Sequence, residues 1–109
     1  MPKLSEILKN VATLPVPYRG TIITIHYKPE EVTATKRAAL QQRVADGKLD
    51  RDDQDAAFLA ETLTSWDLTD DDDKPLPITF EVMQARSSSL QMALVNAIYD
   101  DQRNPQQGH

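Results

Sequence analysis

The sequence predicts an α+β fold, mostly helical, in which a small N-terminal β-hairpin packs on four or five helices; three observations carry this reading. Between Val16 and Tyr27, the residues Ile23, Ile25 and Tyr27 alternate with Thr24 and His26 behind an Arg19-Gly20 turn, the period-two pattern of a half-buried hairpin strand. Later, Ala56, Leu59, Leu63 and Trp66, and then Leu90, Leu94, Ala97 and Ile98, recur at spacings of three and four, the pattern of amphipathic helices. Finally, 109 residues of 39% hydrophobic and 6% aromatic content suit one small domain with a lean aliphatic core, read as residues 1–102 with a disordered tail at 103–109.

The elements follow in order. Leu4, Ile7, Leu8 and Val11 fall at i, i+3, i+4 and i+7 and predict a short opening helix, which Pro15 and Pro17 forbid from continuing. After the hairpin and beyond Pro29, Glu30-Glu31 favours a helix N-terminus, and a helix runs from there or from Thr33 to about Ala45. Asp46-Gly47 ends it, glycine suiting the left-handed position past the last turn. Asp50 or Asp52 caps the next helix, which carries the Ala56 to Trp66 stripe with Phe58 beside it. Residues 68–77 read as loop. Thr79 caps a short helix of Phe80 to Arg86, with Ile78 and Met83 as a hydrophobic staple, and Ser87 or Ser88 starts the last one. There Met92, Val95 and Tyr99 widen the buried stripe. Together with Phe58 they exceed what a lean core covers, so these four are read as an apolar interface that supports weak self-association.

The charge distribution narrows the function. Net charge is −5, yet the segment from Asp46 to Asp73 alone carries eleven acids against Lys48 and Arg51, while the remainder is net basic. Such a middle repels nucleic acid and attracts basic protein surfaces. No run reaches the ~18 apolar residues of a membrane span, and Glu6, Lys9 and Asn10 interrupt any apolar core of a secretory signal. The absence of cysteine removes disulfide and thiolate chemistry.

Candidate chemistry is sparse. Asp50-x-Asp52-x-Gln54 with Glu61 at position twelve imitates an EF-hand loop, but Asp55 stands where the sharp turn needs glycine, so the segment reads as an acidic helix start. The run Asp70 to Asp73 has no histidine or other fixed donor nearby to converge on a metal, and none is expected. His26 and His109 are the only imidazoles, and Ser87-Ser88-Ser89 reads as helix-cap chemistry, so no catalytic set is assembled. Three glycines form neither a phosphate loop nor a dinucleotide fingerprint, and no cofactor is expected. Trp66 reads as core, with a partner anchor as the alternative.

The most distinctive segment is Ser65-Trp66-Asp67-Leu68-Thr69-Asp70-Asp71-Asp72-Asp73-Lys74-Pro75-Leu76-Pro77-Ile78-Thr79, which joins the only tryptophan to four aspartates and a double-proline step. It resembles the tail assembly chaperones of long, non-contractile-tailed bacteriophages, small acidic proteins with a tryptophan-aspartate-leucine, aspartate-run, proline-step segment in the second half. Ile22 to Pro29 with Val32-Thr33 resembles the family's strand and Tyr-x-Pro step, and Ser87 to Ile98 its closing helix, so the likeness covers roughly residues 3 to 100. It departs after the aspartates, where members often carry glycine and this chain has Asp73-Lys74. The resemblance implies binding to the tape-measure protein, recruitment of tail-tube subunits, action in the host cytoplasm, and absence from the finished virion. It points to Trp66, Asp67, Leu68, Asp70, Asp71, Asp72, Asp73, Pro75 and Pro77 as motif and partner-binding residues. A head-to-tail connector or minor tail protein, and a small acidic inhibitor of a host protein, are the alternatives.

Overall fold

The computed structural model describes residues 11–103. The opening helix read from Leu4, Ile7 and Leu8, and the tail at 104–109, lie outside the described residues. Arg103, expected to begin that tail, instead ends the last helix. The described residues form a small α+β domain in which a three-stranded antiparallel sheet carries four α-helices.

Strands β1 (Ala12–Tyr18) and β2 (Thr21–Tyr27) make the expected hairpin, in register from Ala12↔Tyr27 to Tyr18↔Thr21. Both turn residues are left-handed, Arg19 at φ 49° and Gly20 at φ 83°, as a two-residue hairpin turn matching the strand twist requires. Pairing alternates from the closing Tyr18/Thr21 pair, so Pro15 opposite Thr24 and Pro17 opposite Ile22 sit where strand nitrogens face away from β2. The two prolines therefore cost the hairpin no bond and strip two donors from the outer edge of the sheet formed by the described residues, which blunts it against added strands.

The sequence reading fails at the end of the strongest stripe. Helix α1 (Ala34–Ala45) is followed by α2 (Gln54–Thr62), which stops before Leu63; Leu63–Trp66 is a third strand, β3, antiparallel to β2. The Thr62 carbonyl accepts the Lys28 N–H at 3.0 Å and directs the chain onto the open side of β2. Tyr27 pairs with Leu63, His26 with Ser65 and Ile25 with Trp66, leaving Thr64 as an extra residue. This is a β-bulge, and the Thr64 hydroxyl donates to the His26 carbonyl at 3.1 Å across it. In a regular strand Leu63 and Trp66 would face opposite sides; the bulge turns both inward, and they are 4% and 8% exposed.

On the inner sheet face Val16, Ile23, Ile25 and Tyr27 join them. Helix α2 packs at the centre through Ala56, Ala57, Phe58 and Leu59, flanked by Met83 of α3 (Phe80–Gln84) and Leu94, Val95 and Ile98 of α4 (Ser88–Arg103). Helix α1 anchors one buried side chain, Leu40.

Helix ends follow local chemistry. Thr33 and Thr79 accept the Lys36 and Val82 amides at 3.1 Å, and the Ser87 hydroxyl accepts from Leu90 N–H at 3.2 Å. Gly47, at φ 75°, closes α1 in a Schellman motif: Lys48 N–H donates to Arg43 and Gly47 N–H to Val44. The expected aspartate cap on α2 is absent: Asp50 precedes a 3₁₀ turn (Arg51–Asp53) without a side-chain cap, and the Asp53 carboxylate accepts from Gln84 instead. Helix α3 stops at Gln84, short of Arg86, and Gln91, buried in α4, donates to the Met83 and Arg86 carbonyls at 2.9 and 3.0 Å across the corner between the two helices.

Tyr27 spans the layers. Its hydroxyl donates to the Asp101 carboxylate and accepts from Gln102 at 2.8 Å. Burial, and then the bond to Asp101, push its pKa up to about 12. An acid kept neutral by the fold contributes stability that is complete below its ordinary value of 10.0 and lost as pH rises through about 12. Urea unfolding across that range should show a steep fall for the wild type and a shallower one for Tyr27→Phe. Near neutral pH the variant should already be about 1–2 kcal/mol less stable, since Asp101 loses its donor.

Candidate functional site

The distinctive segment folds as one unit against the edge of the sheet. Asp67 extends the ladder beyond β3: its N–H donates to the Thr24 carbonyl at 3.1 Å, and its carboxylate accepts the Thr24 N–H at 3.0 Å. These Thr24 groups face β3 because Thr24 stands opposite Pro15 in a pair that exchanges no bond with β1.

Beyond Leu68 the chain reverses in a tight hairpin of its own. Thr69 bridges Pro75, and Leu76 N–H donates to the Leu68 carbonyl at 3.1 Å. Asp70 organises the reversal: Asp73 N–H donates to its carbonyl, its own N–H donates to Lys74 at 2.8 Å, and its carboxylate accepts Asp72 and Lys74 N–H at 2.8 and 3.0 Å. This is an Asx-stabilised turn followed by a left-handed residue. The left-handed residue is Asp73, at φ 61°. It stands where glycine would be free of side-chain strain, in the same place as the departure from the chaperone pattern.

The far limb returns over the tryptophan. Trp66 Nε1–H donates to the Leu76 carbonyl at 2.9 Å, and Leu68, Leu76 and Ile78 pack on the core. Trp66 is thus a core side chain whose polar edge is satisfied by the segment that follows it. Asp71 and Asp72 project into solvent, as do Pro75 and Pro77. The four aspartates therefore divide: Asp70 builds the turn, Asp73 occupies its strained position, and the carboxylates of Asp71 and Asp72 are exposed and enter no hydrogen bond among the described residues.

The four apolar side chains read as an interface are placed differently. Phe58 and Val95 are buried, and Tyr99 is half-buried, stacked on Phe58 with ring centroids 5.3 Å apart. Arg37 lies 4.5 Å over the outer face of Tyr99, and its Nε–H donates to the Tyr99 hydroxyl at 3.4 Å. Met92 remains 53% exposed. The other large exposed apolar side chain among the described residues is Ile22, 62% exposed on the outer sheet face.

Elsewhere the titratable groups do not converge. His26 Nδ1 is engaged by the Thr13 hydroxyl at 2.9 Å. Tyr18 bonds Ser89 at 2.6 Å, and hydrogen bonds from Ser87 and Ser89 lower its pKa. Asp55 is raised by burial alone, with no charged partner, unlike an acid–base pair. Among the described residues no group of three His, Cys, Asp or Glu could hold a metal ion, and no helix is long and apolar enough to cross a membrane.

Sequence reasoning missed the ladder role of Asp67 and the difference between Asp70 and its neighbours. An aspartate four residues ahead of a lysine and proline was the available signal for a turn of this type. It missed Gln91 and the Arg37–Tyr99–Phe58 stack altogether, because both depend on which helices meet. Compared with protein-family profiles, with curated proteins and with solved structures, the chain has no match.

The division among the aspartates is testable by thermal or urea unfolding. Asp70→Ala should destabilise by about 1 kcal/mol through loss of its turn bonds, whereas Asp71→Ala and Asp72→Ala should stay within about 0.5 kcal/mol. Asp73→Gly should stabilise by roughly 0.5 kcal/mol, the left-handed penalty outweighing glycine's added chain entropy. Trp66→Ala should cost about 3–5 kcal/mol, as for emptying a large buried site.

Proposed function

We propose that this chain is a phage tail assembly chaperone that binds the tape-measure protein, keeps it soluble, and helps bring tail-tube subunits to it. In this reading the folded chain acts as one unit in the host cytoplasm and is left out of the finished particle. The observation that carries the proposal is the segment from Trp66 to Thr79, which combines the sequence resemblance with an ordered geometry. Its apolar members Trp66, Leu68 and Leu76 anchor the segment, and Asp71 and Asp72 are presented outward.

Physical chemistry supports a binding role over a catalytic one. The titratable groups with shifted pKa values, Tyr18, Tyr27 and Asp55, sit apart, each with a structural cause for its shift. An acidic surface attracts basic subunits at long range and sets the encounter rate more than the affinity. Exposed Ile22 and Met92 are apolar contacts that a helical client or a second copy of the chain could cover.

Co-expression with the tape-measure protein of the same genome should raise that protein's soluble fraction and yield a co-purifying complex. Unchanged solubility at matched expression would rule the chaperone reading out. Asp71→Asn with Asp72→Asn should slow complex formation and flatten its dependence on salt, leaving the fold intact. Recovery of the protein in purified particles would favour a structural connector.

A further inference from the structure

We propose that residues 68–76 form a charge-loaded lid over Trp66, which swings open locally while the rest of the domain stays folded. The inference does not depend on the tail-chaperone reading. It begins from how the segment is attached. On one side Asp67 is fixed to Thr24 by two hydrogen bonds; on the other the Thr79 cap begins α3. Between these anchors the bonds are internal: Leu76 N–H to Leu68, Thr69 bridged to Pro75, and the turn built by Asp70. The segment is thus a unit joined to the domain at its two ends and at the latch, and when it opens its turn relaxes with it.

What ties that unit to the core is small. Trp66 Nε1–H donates to the Leu76 carbonyl at 2.9 Å, and Leu68 and Leu76 are only half-buried. Two features oppose closure. Asp73 is held left-handed without being glycine, and four consecutive carboxylates are gathered at one turn with Lys74 as the adjoining base. Opening releases the latch bond, relaxes the turn and leaves β2, α2 and α4 packed, so it lies below global unfolding in free energy. It uncovers the broad ring of Trp66, which the closed domain buries, beside the half-buried Leu68 and Leu76.

The single tryptophan makes the lid observable, because its indole N–H is the latch donor. Hydrogen exchange followed by NMR should show the Trp66 indole proton exchanging at least about tenfold faster than the Ile25 amide at the centre of the sheet, relative to their unprotected rates. The variant Asp71→Asn, Asp72→Asn, Asp73→Gly should slow the indole exchange by about threefold or more while leaving Ile25 at or below its wild-type rate. Removing negative charge by itself speeds hydroxide-catalysed exchange, so slowing reports a firmer lid. Asp70→Ala, which loosens the turn, should speed the indole proton by more than it speeds Ile25. An indole proton that exchanges no faster than Ile25, or that the triple variant leaves unchanged or accelerated, would overturn the lid.

Discussion

The bulge at Thr64 is the constraint on which the other elements depend. Without the extra residue, a strand leaving α2 would bury either Leu63 or Trp66 against the helices and turn the other to solvent. With it, both enter the core, the Thr64 hydroxyl takes the His26 carbonyl, and the chain emerges with Asp67 opposite Thr24. Helix α2, the sheet and the acidic segment are joined through these few residues. The same geometry explains the prolines of β1. Thr24 can give both backbone groups to Asp67 because its partner Pro15 asks for neither.

Composition alone would treat the acidic run as a solvated patch. The structure makes it heterogeneous, and the difference arises from backbone hydrogen bonding. Asp70 spends its carboxylate on two amides and is part of the turn, while Asp73 is placed by its backbone angle. Asp71 and Asp72 carry charge that nothing in the turn uses. A motif that looks uniform therefore combines an aspartate whose carboxylate builds the turn, one placed by its backbone angle, and two whose carboxylates the turn does not use.

Three polar groups inside the fold follow one rule. Gln91, the Trp66 indole and the Tyr27 hydroxyl each lie at a junction between elements and each finds a partner on the other side. Gln91 joins α3 to α4, Trp66 joins the sheet to the acidic hairpin, and Tyr27 joins β2 to the end of α4. Leaving such a group unpaired costs more than its bond contributes, so these contacts fix which packing is native as well as how stable it is.

The sequence by itself determined the features written within a few residues: the alternating hairpin strand behind Arg19-Gly20, the Thr33 and Thr79 caps, the glycine stop at Gly47, and the stripe of Leu94 and Ile98. Each is a local agreement between side chain and backbone, legible without knowing what lies opposite. Tertiary structure decided the rest. The stripe from Ala56 to Trp66 has helical spacing, yet the open edge of β2 claimed its last two members, and a bulged strand buries residues three apart as a helix does. Likewise Phe58 and Val95 read as surplus apolar surface until α2 and α4 met and covered them. Asp67 and Gln91 gained their roles only from groups brought to them across the fold. Spacing reports which residues share a face; only long-range pairing says what that face will meet.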